Sequence, residues 1–433
     1  MRETIAGGES NLVEFKRELP SDSRGYLKTI IAFSNTAGGS LLIGVSGDGA
    51  VCGVPEDRVQ RIRDSIADSI SSACEPVPLF NIKTYSIDGK TVLAVTVYPG
   101  EDRPYHFRNT PPEKTCFVRK DKITRLADAS RYRELTMEGA GTSFDAQVNF
   151  GLALTDESME KVCSDLSEIG GRRFSPKDLR NMRLIVSGEG ESVPTNAYAL
   201  LDGSVFVAAT VRCACFRGTS KPTDRELFID QRECEGPVYR QIEEAHAFVM
   251  RNIRLASYLD GTITRKDVPE IPADVIREAV TNAVLHRSYL RGDLPTYVSV
   301  YDDRVEIRSP GKLYGDLRVE EVIDGRTGRR NPILAKAFAA IHVSEGFGLG
   351  IGGMISKCER SGLRAPSFEE DGDDFLVTIF RRDSREPVAP LDPRDADAEA
   401  PMPARGHRGG SRGPVARASP RRGGGGAILW ARG

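Results

Sequence analysis

The chain has 433 residues, of which 39% are hydrophobic and 28% charged, and its formal net charge is −2 at pH 7. This length exceeds what one hydrophobic core supports, so we expect several domains of ordinary globular composition. The balanced charge gives no global sign of a nucleic-acid or membrane partner, so any such partner must bind to a local patch.

Targeting and cysteine patterns bear on the cellular setting. The sequence has neither the apolar run of about eighteen residues that a membrane span needs nor the apolar core of a signal peptide at its N-terminus. Its eight cysteines are scattered, and only Cys213 and Cys215 lie close together. This spacing favours reduced, buried thiols over a disulfide framework or a zinc site. We therefore expect a cytoplasmic protein without membrane attachment.

The first segment, residues 1–135, alternates strand and helix patterns. Strands are predicted at LVEFKREL and SLLIGV, and helices at YLKTIIAFSNTAGG and DRVQRIRDSIADSISSAC. A hairpin is predicted at Asp88-Gly89, between FNIKTYSI and TVLAVTVYP, and CFVRKD is a strand before a helix near 127–137. The segment is predicted to be an α+β domain.

Two basic stretches of this segment, RPYHFRN and CFVRKDKITR, are candidates for nucleic-acid binding. Their cations could hold phosphates while Tyr105, Phe107 and Phe117 stack on unpaired bases. Composition alone favours a solvated basic hairpin instead. The candidate cations are Arg103, Arg108, Arg119, Lys120, Lys122 and Arg125.

Residues 136–265 are predicted to form a connecting α+β region without chemistry of its own. Helices are expected around 156–168 and 236–258, and strands at 197–201 and 204–215.

The next segment, residues 266–383, begins with a clear helix start at Pro272, where the missing N–H costs nothing. Glu278, Asn282 and His286 are spaced four apart on this helix, so they share one stripe beside a broad apolar face. Taken alone, such a stripe is usually solvated.

The elements that follow change this interpretation. TYVSVYDDRVEIRSPG predicts two strands, RNPILAKAFAAIHV a helix capped by Asn331, and DFLVTIFRR a closing strand. Gly346, Gly348 and Gly350 form a loop that opens onto a further helix, where backbone N–H groups can approach a phosphate. The ordered set of parts predicts a nucleotide site, in which an acid orients water and an amide oxygen holds Mg²⁺.

Residues 270–383 resemble the GHKL, or Bergerat-fold, ATP-binding domains of histidine kinases and gyrase-type topoisomerases. EAVTNAVLHRSY, DDRVEIRSPGKL, RNPILAKAF and EGFGLGI are similar to the divergent version in bacterial proteins named RecG-like or transcriptional regulators. The resemblance implies ATP and Mg²⁺ as ligands, with Glu278 as the catalytic or water-orienting acid and Asn282 as the Mg²⁺ ligand. It also implies that the glycine loop covers the phosphates, and it places His286 in the NAxxHR pattern without assigned chemistry.

The sequence departs from this family at the adenine contact. The family has an Asp before a glycine after the second strand, where it accepts a hydrogen bond from adenine. This chain has Arg308-Ser309-Pro310-Gly311 there, which leaves Ser309 and Gly311 as candidates, Ser309 through a water. We expect weaker adenine specificity; binding is the expectation, and a weak ATPase activity is left open.

The N-terminal segment resembles the Schlafen AlbA-type domain through ESNLVEFKREL, IIAFSNTAGGSLLIGV and GDGAVCGV, over about residues 9–125. The resemblance implies nucleic-acid binding, with DNA ahead of RNA. Schlafen nucleases hold a divalent metal with three acids, and here Glu9 and Glu14 match two of them while Asp48 aligns loosely as the third. The blander alternative is that Glu9 and Glu14 flank a strand and pair with neighbouring cations.

The fold expected is multidomain α+β, with the Schlafen AlbA-type domain first and a Bergerat-like α/β sandwich at 266–383. Residues 384–433, rich in Pro, Gly and Arg, are expected to be disordered, either as a nucleic-acid-binding arm or without function. The favoured function is a cytoplasmic DNA-binding transcriptional regulator that binds ATP. A metal-dependent ribonuclease and a non-catalytic scaffold are the alternatives, and homo-oligomerisation is left open. A helicase motor is not expected, since the sequence lacks GxxxxGK[ST].

Overall fold

The computed structural model describes residues 1–382 apart from seven short gaps. The gaps are 121, 189–190, 207–208, 222–227, 260–264, 293 and 344–349. All described residues belong to one compact unit, Met1–Pro390. The disordered tail expected at 384–433 lies outside the described residues. Helices and strands are mixed throughout, which confirms the expected α+β class.

The N-terminal part is built on a four-stranded sheet. Its elements are α1 (Arg2–Ala6), β1 (Val13–Lys16), α2 (Ser23–Asn35), β2 (Gly39–Ile43), α3 (Glu56–Ala73), β3 (Cys74–Glu75), β4 (Phe80–Ile87), β5 (Lys90–Val97), β6 (His106–Phe107), α4 (Pro112–Thr115), β7 (Phe117–Lys120), β8 (Ile123–Leu126) and α5 (Ala129–Gly139). The sheet order is β1-β2-β5-β4, with β1 parallel to β2 and the other pairs antiparallel. Asp88 (φ 51°) and Gly89 (φ 76°) turn the β4–β5 hairpin as predicted, because both adopt the positive φ that a type I′ turn requires.

The basic stretch 116–125 forms a second hairpin, β7–β8, which packs on α2. Only its first strand was expected from the sequence. Thr124 of β8 hydrogen-bonds Thr29 of α2, Oγ1 to Oγ1, at 3.3 Å. Helix α5 follows directly, and Asp128 caps it by accepting the backbone N–H of Arg131 at 2.8 Å.

The linking region is more helical than the sequence suggested. Its elements are α6 (Asp156–Gly170), α7 (Pro176–Asn181), β9 (Ile185–Gly188), β10 (Glu191–Pro194), α8 (Asn196–Asp202), β11 (Val211–Phe216), β12 (Phe228–Cys234) and α9 (Val238–Asn252). The strand predicted at 197–201 is wrong, because this stretch is α8, capped by Thr195 and ended by Gly203 at φ 81°. Every residue of α8 is buried, so its apolar run lacks the periodicity that separates a helix from a strand.

The C-terminal part adds the remaining elements. They are β13 (Leu255–Leu259), β14 (Arg265–Pro269), α10 (Ala273–Leu285), β15 (Thr296–Val300), β16 (Arg304–Pro310), α11 (Val319–Ile323), α12 (Pro332–Ala340), α13 (Gly350–Arg360), β17 (Ser367–Asp371) and β18 (Asp374–Phe380). The helix start at Pro272 and the turn at Asp302-Asp303 are as predicted, whereas β13, β14, α11 and β17 were missed.

One six-stranded sheet crosses the boundary that was expected at 265/266. Its order is β12-β11-β15-β16-β18-β17. Strands β11 and β15 run parallel, and every other neighbouring pair in the sheet is antiparallel. Helices α9 and α10 pack together on one face of this sheet. Residues 211–252 therefore share a sheet and a core with the segment expected to stand alone at 266–383.

The N-terminus of helix α12 is capped by a residue that is distant in sequence. Asn331 occupies the N-cap position as expected, but its amide instead donates to the carbonyls of Leu285 and Arg287 at 2.8 and 3.0 Å. Buried Asp145 accepts the first backbone N–H groups of α12, those of Ile333 and Leu334, at 2.7 and 2.9 Å. A carboxylate at the positive end of the helix replaces the amide that the local sequence suggested.

All eight cysteines are free thiols in the structure, and all but Cys52 are buried. Among the described residues, no helix combines the length and apolar character that a membrane crossing requires.

Candidate functional site

The polar stripe of α10 lines a pocket of about 410 Å³ between α10, α13 and the six-stranded sheet, here called the α10 pocket. Glu278 and Asn282 lie on the helix itself. His286 lies at its C-cap, where its backbone N–H still donates to the carbonyl of Asn282 at 2.9 Å. The stripe exists because the opposite face of α10, from Val275 to Val284, is buried in the core. The structure thus brings all three predicted residues to one cavity.

Glu278 orients the Asn282 amide. Asn282 Nδ2 donates to Glu278 Oε1 at 3.0 Å, which fixes the amide and leaves its oxygen, Oδ1, without a hydrogen-bond donor among the described residues. An amide oxygen that lines a cavity and lacks a donor is a suitable ligand for a hard cation such as Mg²⁺. The pair therefore fits the predicted role of Asn282.

The N-terminus of α13 meets the same pocket. Gly350, its first residue, packs so closely on Glu278 that a Cβ at position 350 would overlap the carboxylate oxygen Oε1. Gly350 and Ile351 line the pocket, so the first backbone N–H groups of α13 are placed where an anion is stabilised by the helix dipole. The other predicted loop residues, Gly346 and Gly348, lie outside the described residues.

Ser309 and Gly311 form part of the pocket wall at the end of β16. Ser309 is buried, and its hydroxyl donates to the carbonyl of Ala283 at 2.6 Å, which ties β16 to α10. Gly311 has φ 103°, and a Cβ there would approach Ser288 Cβ to 2.9 Å. Glycine is required here by both backbone conformation and space.

A buried arginine closes the other side of the pocket. The Arg330 guanidinium donates to the carbonyls of His286 and Lys312 at 2.7 and 2.8 Å, and its Nε donates to Glu134 Oε1 of α5 at 2.9 Å. Both side chains of the ion pair are less than a tenth exposed. Ser288 Oγ also donates to Glu134, at 3.4 Å. A residue of the N-terminal part therefore holds a wall residue of the α10 pocket.

The position of His286 predicts a pH dependence of stability. Burial, with the neighbouring charges of Arg330 and Arg329, lowers the pKa of His286 to about 4 from 6.5. The unfolded chain therefore binds this proton at a higher pH than the folded chain. The contribution of His286 to the free energy of unfolding is fully present above pH 6.5. As the pH falls toward 4, the free energy of unfolding decreases by on the order of 2–3 kcal/mol, because protonation of His286 favours the unfolded chain.

Thermal unfolding of the wild type and of His286→Gln at pH 7.5, 5.5 and 4.5 measures this effect. We expect the variant to lose less stability than the wild type between the first and last pH values. Parallel pH profiles of the two proteins would contradict the assignment.

The three acids considered for a nuclease are engaged separately. Glu9 accepts the backbone N–H of Phe15 at 2.9 Å, and Asp48 accepts from Ser46 and from the backbone of Ala50 within its own turn. Glu14 forms ion pairs with Lys16 and buried Arg119, both at 2.6 Å. Within the described part of the chain, no group of three or more His, Cys, Asp or Glu side chains could hold a metal ion.

The six candidate cations have two different environments. Arg119 is buried, and Arg103 is bound to Glu138 at 2.7 Å and to the carbonyls of Gly100 and Thr36. The others, Arg108, Lys120, Lys122 and Arg125, are at least partly exposed. The stacking partners suggested from sequence are not on the surface, because Tyr105 and Phe107 are buried and Phe117 packs against the same core.

Four of these cations, Arg119, Lys120, Lys122 and Arg125, line a second and larger cavity, here called the hairpin cleft. It measures about 760 Å³ and lies between the β7–β8 hairpin and α5 on one side and residues 311–320 and 368–373 on the other. The hairpin cleft and the α10 pocket share a wall. The shared residues are Gly311, Lys312, Leu313, Leu317, Arg330 and Phe368. Sequence reasoning missed this juxtaposition, because no local pattern relates the hairpin to residues 311–330.

Comparisons with known proteins match two parts of the chain. Residues 9–128 match the family described as "Schlafen, AlbA_2", and residues 295–379 match the one described as "Putative ATP-dependent DNA helicase recG C-terminal". Both matches confirm the resemblances inferred from the sequence.

Two solved structures are also similar to this chain. The crystal structure of a Corynebacterium diphtheriae protein has a TM-score of 0.47 and 21% identity, covering 86% of this chain and 75% of that one. The solution structure of the N-terminal domain of a "Putative ATP-dependent DNA Helicase RecG-related Protein" from Nitrosomonas europaea has a TM-score of 0.22 and 21% identity. It covers 30% of this chain and 89% of that one.

Proposed function

We propose that this chain, which joins an N-terminal Schlafen AlbA_2 domain to a C-terminal HATPase-like domain, is a cytoplasmic DNA-binding transcriptional regulator that binds ATP with Mg²⁺. The observation that carries the proposal is the α10 pocket, where Glu278, Asn282 and the start of α13 meet around one cavity. Helix α10 precedes residue 295, so Glu278 and Asn282 lie outside the family match and their roles rest on geometry, whereas the start of α13 lies within it.

Each part of the pocket has a distinct task in this proposal. The apolar wall, with Ile307, Met354 and Val377, buries the base. The N–H groups at the start of α13 receive the phosphates, and Asn282 Oδ1 holds Mg²⁺. Bound there, Mg²⁺ neutralises phosphate charge. Glu278 orients the Asn282 amide and lies where it can also orient a water.

Nucleotide and nucleic acid are proposed to influence each other's binding, because the α10 pocket shares its wall with the hairpin cleft. Arg330 and Leu313 belong to both cavities. A ligand that shifts this wall changes the affinity of the other cavity, and the effect on binding is reciprocal. Equal affinity for nucleic acid with and without ATP–Mg²⁺ would refute the coupling.

A nucleotide titration tests the pocket. Asn282→Ala is expected to weaken ATP binding about tenfold in the presence of Mg²⁺, which corresponds to about 1.4 kcal/mol. In EDTA the wild type and the variant are expected to bind alike, because the lost contact is to the metal. Isothermal titration calorimetry measures both.

Asn81→Ala, an exposed change on β4, serves as the control and should bind as the wild type does. A wild type that does not bind ATP would leave the chain as a scaffold without nucleotide. If Asn282→Ala lost the same affinity for ATP with and without Mg²⁺, Asn282 would not be a ligand of the metal.

A further inference from the structure

The β7–β8 side of the hairpin cleft is rich in cations. The hairpin contributes Arg119, Lys120, Lys122 and Arg125 to the lining. The facing wall is mixed in charge: Glu369, Glu370 and Asp373 lie in the same lining as Lys312 and Arg318, and Lys312 pairs with Asp373 at 2.8 Å. A phosphodiester backbone would therefore lie along the hairpin.

The hairpin offers exposed binding groups. Lys122 and Arg125 are exposed, and neither forms an ion pair with another described residue. Ile123, which lies opposite Lys120 in the hairpin, is 62% exposed. Cations beside an exposed apolar side chain suit a strand that presents both phosphates and unstacked bases.

The shape of the cleft favours one strand over two. The hairpin and α5 bound it on one side and residues 311–320 on the other, within a volume of about 760 Å³. A duplex contacts a protein along the surface of its grooves, the major groove being about 12 Å wide, rather than inside a cavity of this volume. A single extended strand can enter such a cavity.

Besides the buried pair of Glu134 with Arg330, a partly exposed ion pair joins the two walls. Glu370 Oε2 accepts from Lys120 Nζ at 2.8 Å, and its other oxygen, Oε1, accepts from the backbone N–H of Leu313 at 3.2 Å. Both side chains are between a fifth and two fifths exposed. An ion pair of this exposure contributes little net stability, so a phosphate can compete for the lysine.

We propose that the hairpin cleft binds one nucleic-acid strand and that the phosphates of the strand displace Glu370 from Lys120. This inference rests on the nucleic-acid binding proposed above and specifies its form and path. Since Glu370 also holds Leu313, the exchange reaches the wall shared with the α10 pocket.

Fluorescence anisotropy of the full chain with a labelled twelve-nucleotide DNA strand, and with the duplex of the same sequence, tests the proposal. The double variant Lys122→Glu, Arg125→Glu is expected to bind the strand at least tenfold more weakly. Its binding should also depend less steeply on salt, by about one unit of slope per lost phosphate contact.

The matched control carries the same change of charge outside the cleft. Arg61→Glu, Lys83→Glu alters exposed residues of α3 and β4, and it should bind the strand as the wild type does. Thermal midpoints of all variants verify folding. Glu370→Gln removes the competing charge and is expected to bind the strand several-fold more tightly than the wild type.

The outcomes separate this inference from the proposed function. Tighter binding of the duplex than of the strand, or equal losses in the cleft and control variants, overturns the cleft as the path while nucleic-acid binding stands. If Glu370→Gln binds the strand no more tightly than the wild type does, the proposed displacement of Glu370 from Lys120 is overturned. A wild type that binds neither DNA form, nor an RNA strand of the same length, refutes the proposed nucleic-acid function and the inference together.

Discussion

Replacing Glu134 with alanine is expected to lower the thermal midpoint of the protein by about 5 °C. The change removes the carboxylate that faces buried Arg330 at 2.9 Å, and it leaves a guanidinium charge in a site less than a tenth exposed. Breaking one side of a buried ion pair costs about 3–5 kcal/mol, because the remaining charge loses its counter-ion in a site that water reaches poorly. Differential scanning fluorimetry measures the shift.

Two further variants make this test specific. Arg2→Ala breaks an exposed ion pair with Asp88, in which both side chains are more than two thirds exposed, and should leave the midpoint unchanged. The double variant Glu134→Ala, Arg330→Met is expected to lose less than the sum of the single losses, since no charge remains buried. Additive losses would show that the two side chains do not stabilise each other.

Gly350→Val is expected to reduce ATP affinity on the order of a hundredfold, which corresponds to about 2.7 kcal/mol. Its Cβ would occupy the position of Glu278 Oε1, so the carboxylate must move and release the Asn282 amide. The added methyl groups would also cover the first N–H groups of α13. The thermal midpoint of the variant, measured beside that of the wild type, verifies that it is folded. Calorimetric titration with ATP–Mg²⁺ measures the affinity.

Gly353→Val provides the control on the same helix. A Cβ at position 353 has no neighbour within 4 Å, so the same substitution should leave ATP affinity unchanged. Wild-type affinity in both variants would mean that the start of α13 does not receive the phosphates. A large loss in both would indicate a general effect of the substitution on α13.

Local patterns predicted much of the secondary structure. The β4–β5 hairpin and the start of α10 depend on turn and cap residues close in sequence, and both were found where expected. Helix α8 was mistaken for a strand because it is buried on all sides, so its sequence carries no amphipathic period. Prediction failed where tertiary burial, rather than a local signal, determines the structure.

In the candidate site, too, contacts between residues close in sequence could be predicted and contacts between distant residues could not. The stripe of Glu278 and Asn282 follows from helical spacing alone, and the hydrogen bond between them lies within one helix. The contact of Glu134 with Arg330 joins residues 196 positions apart, and the Asp145 cap of α12 spans 188 positions. Nothing in either local sequence specifies its partner, so a single sequence cannot reveal such pairs.

The parallel pairing of β11 with β15 has a practical consequence for anyone who expresses the nucleotide-binding part by itself. A shortened polypeptide that starts at residue 266 would lack β11, β12 and α9. Its β15 would present a bare row of N–H and C=O groups, and the apolar side of its sheet would be uncovered. Such a fragment should aggregate, whereas one that starts before α6 keeps the edge paired.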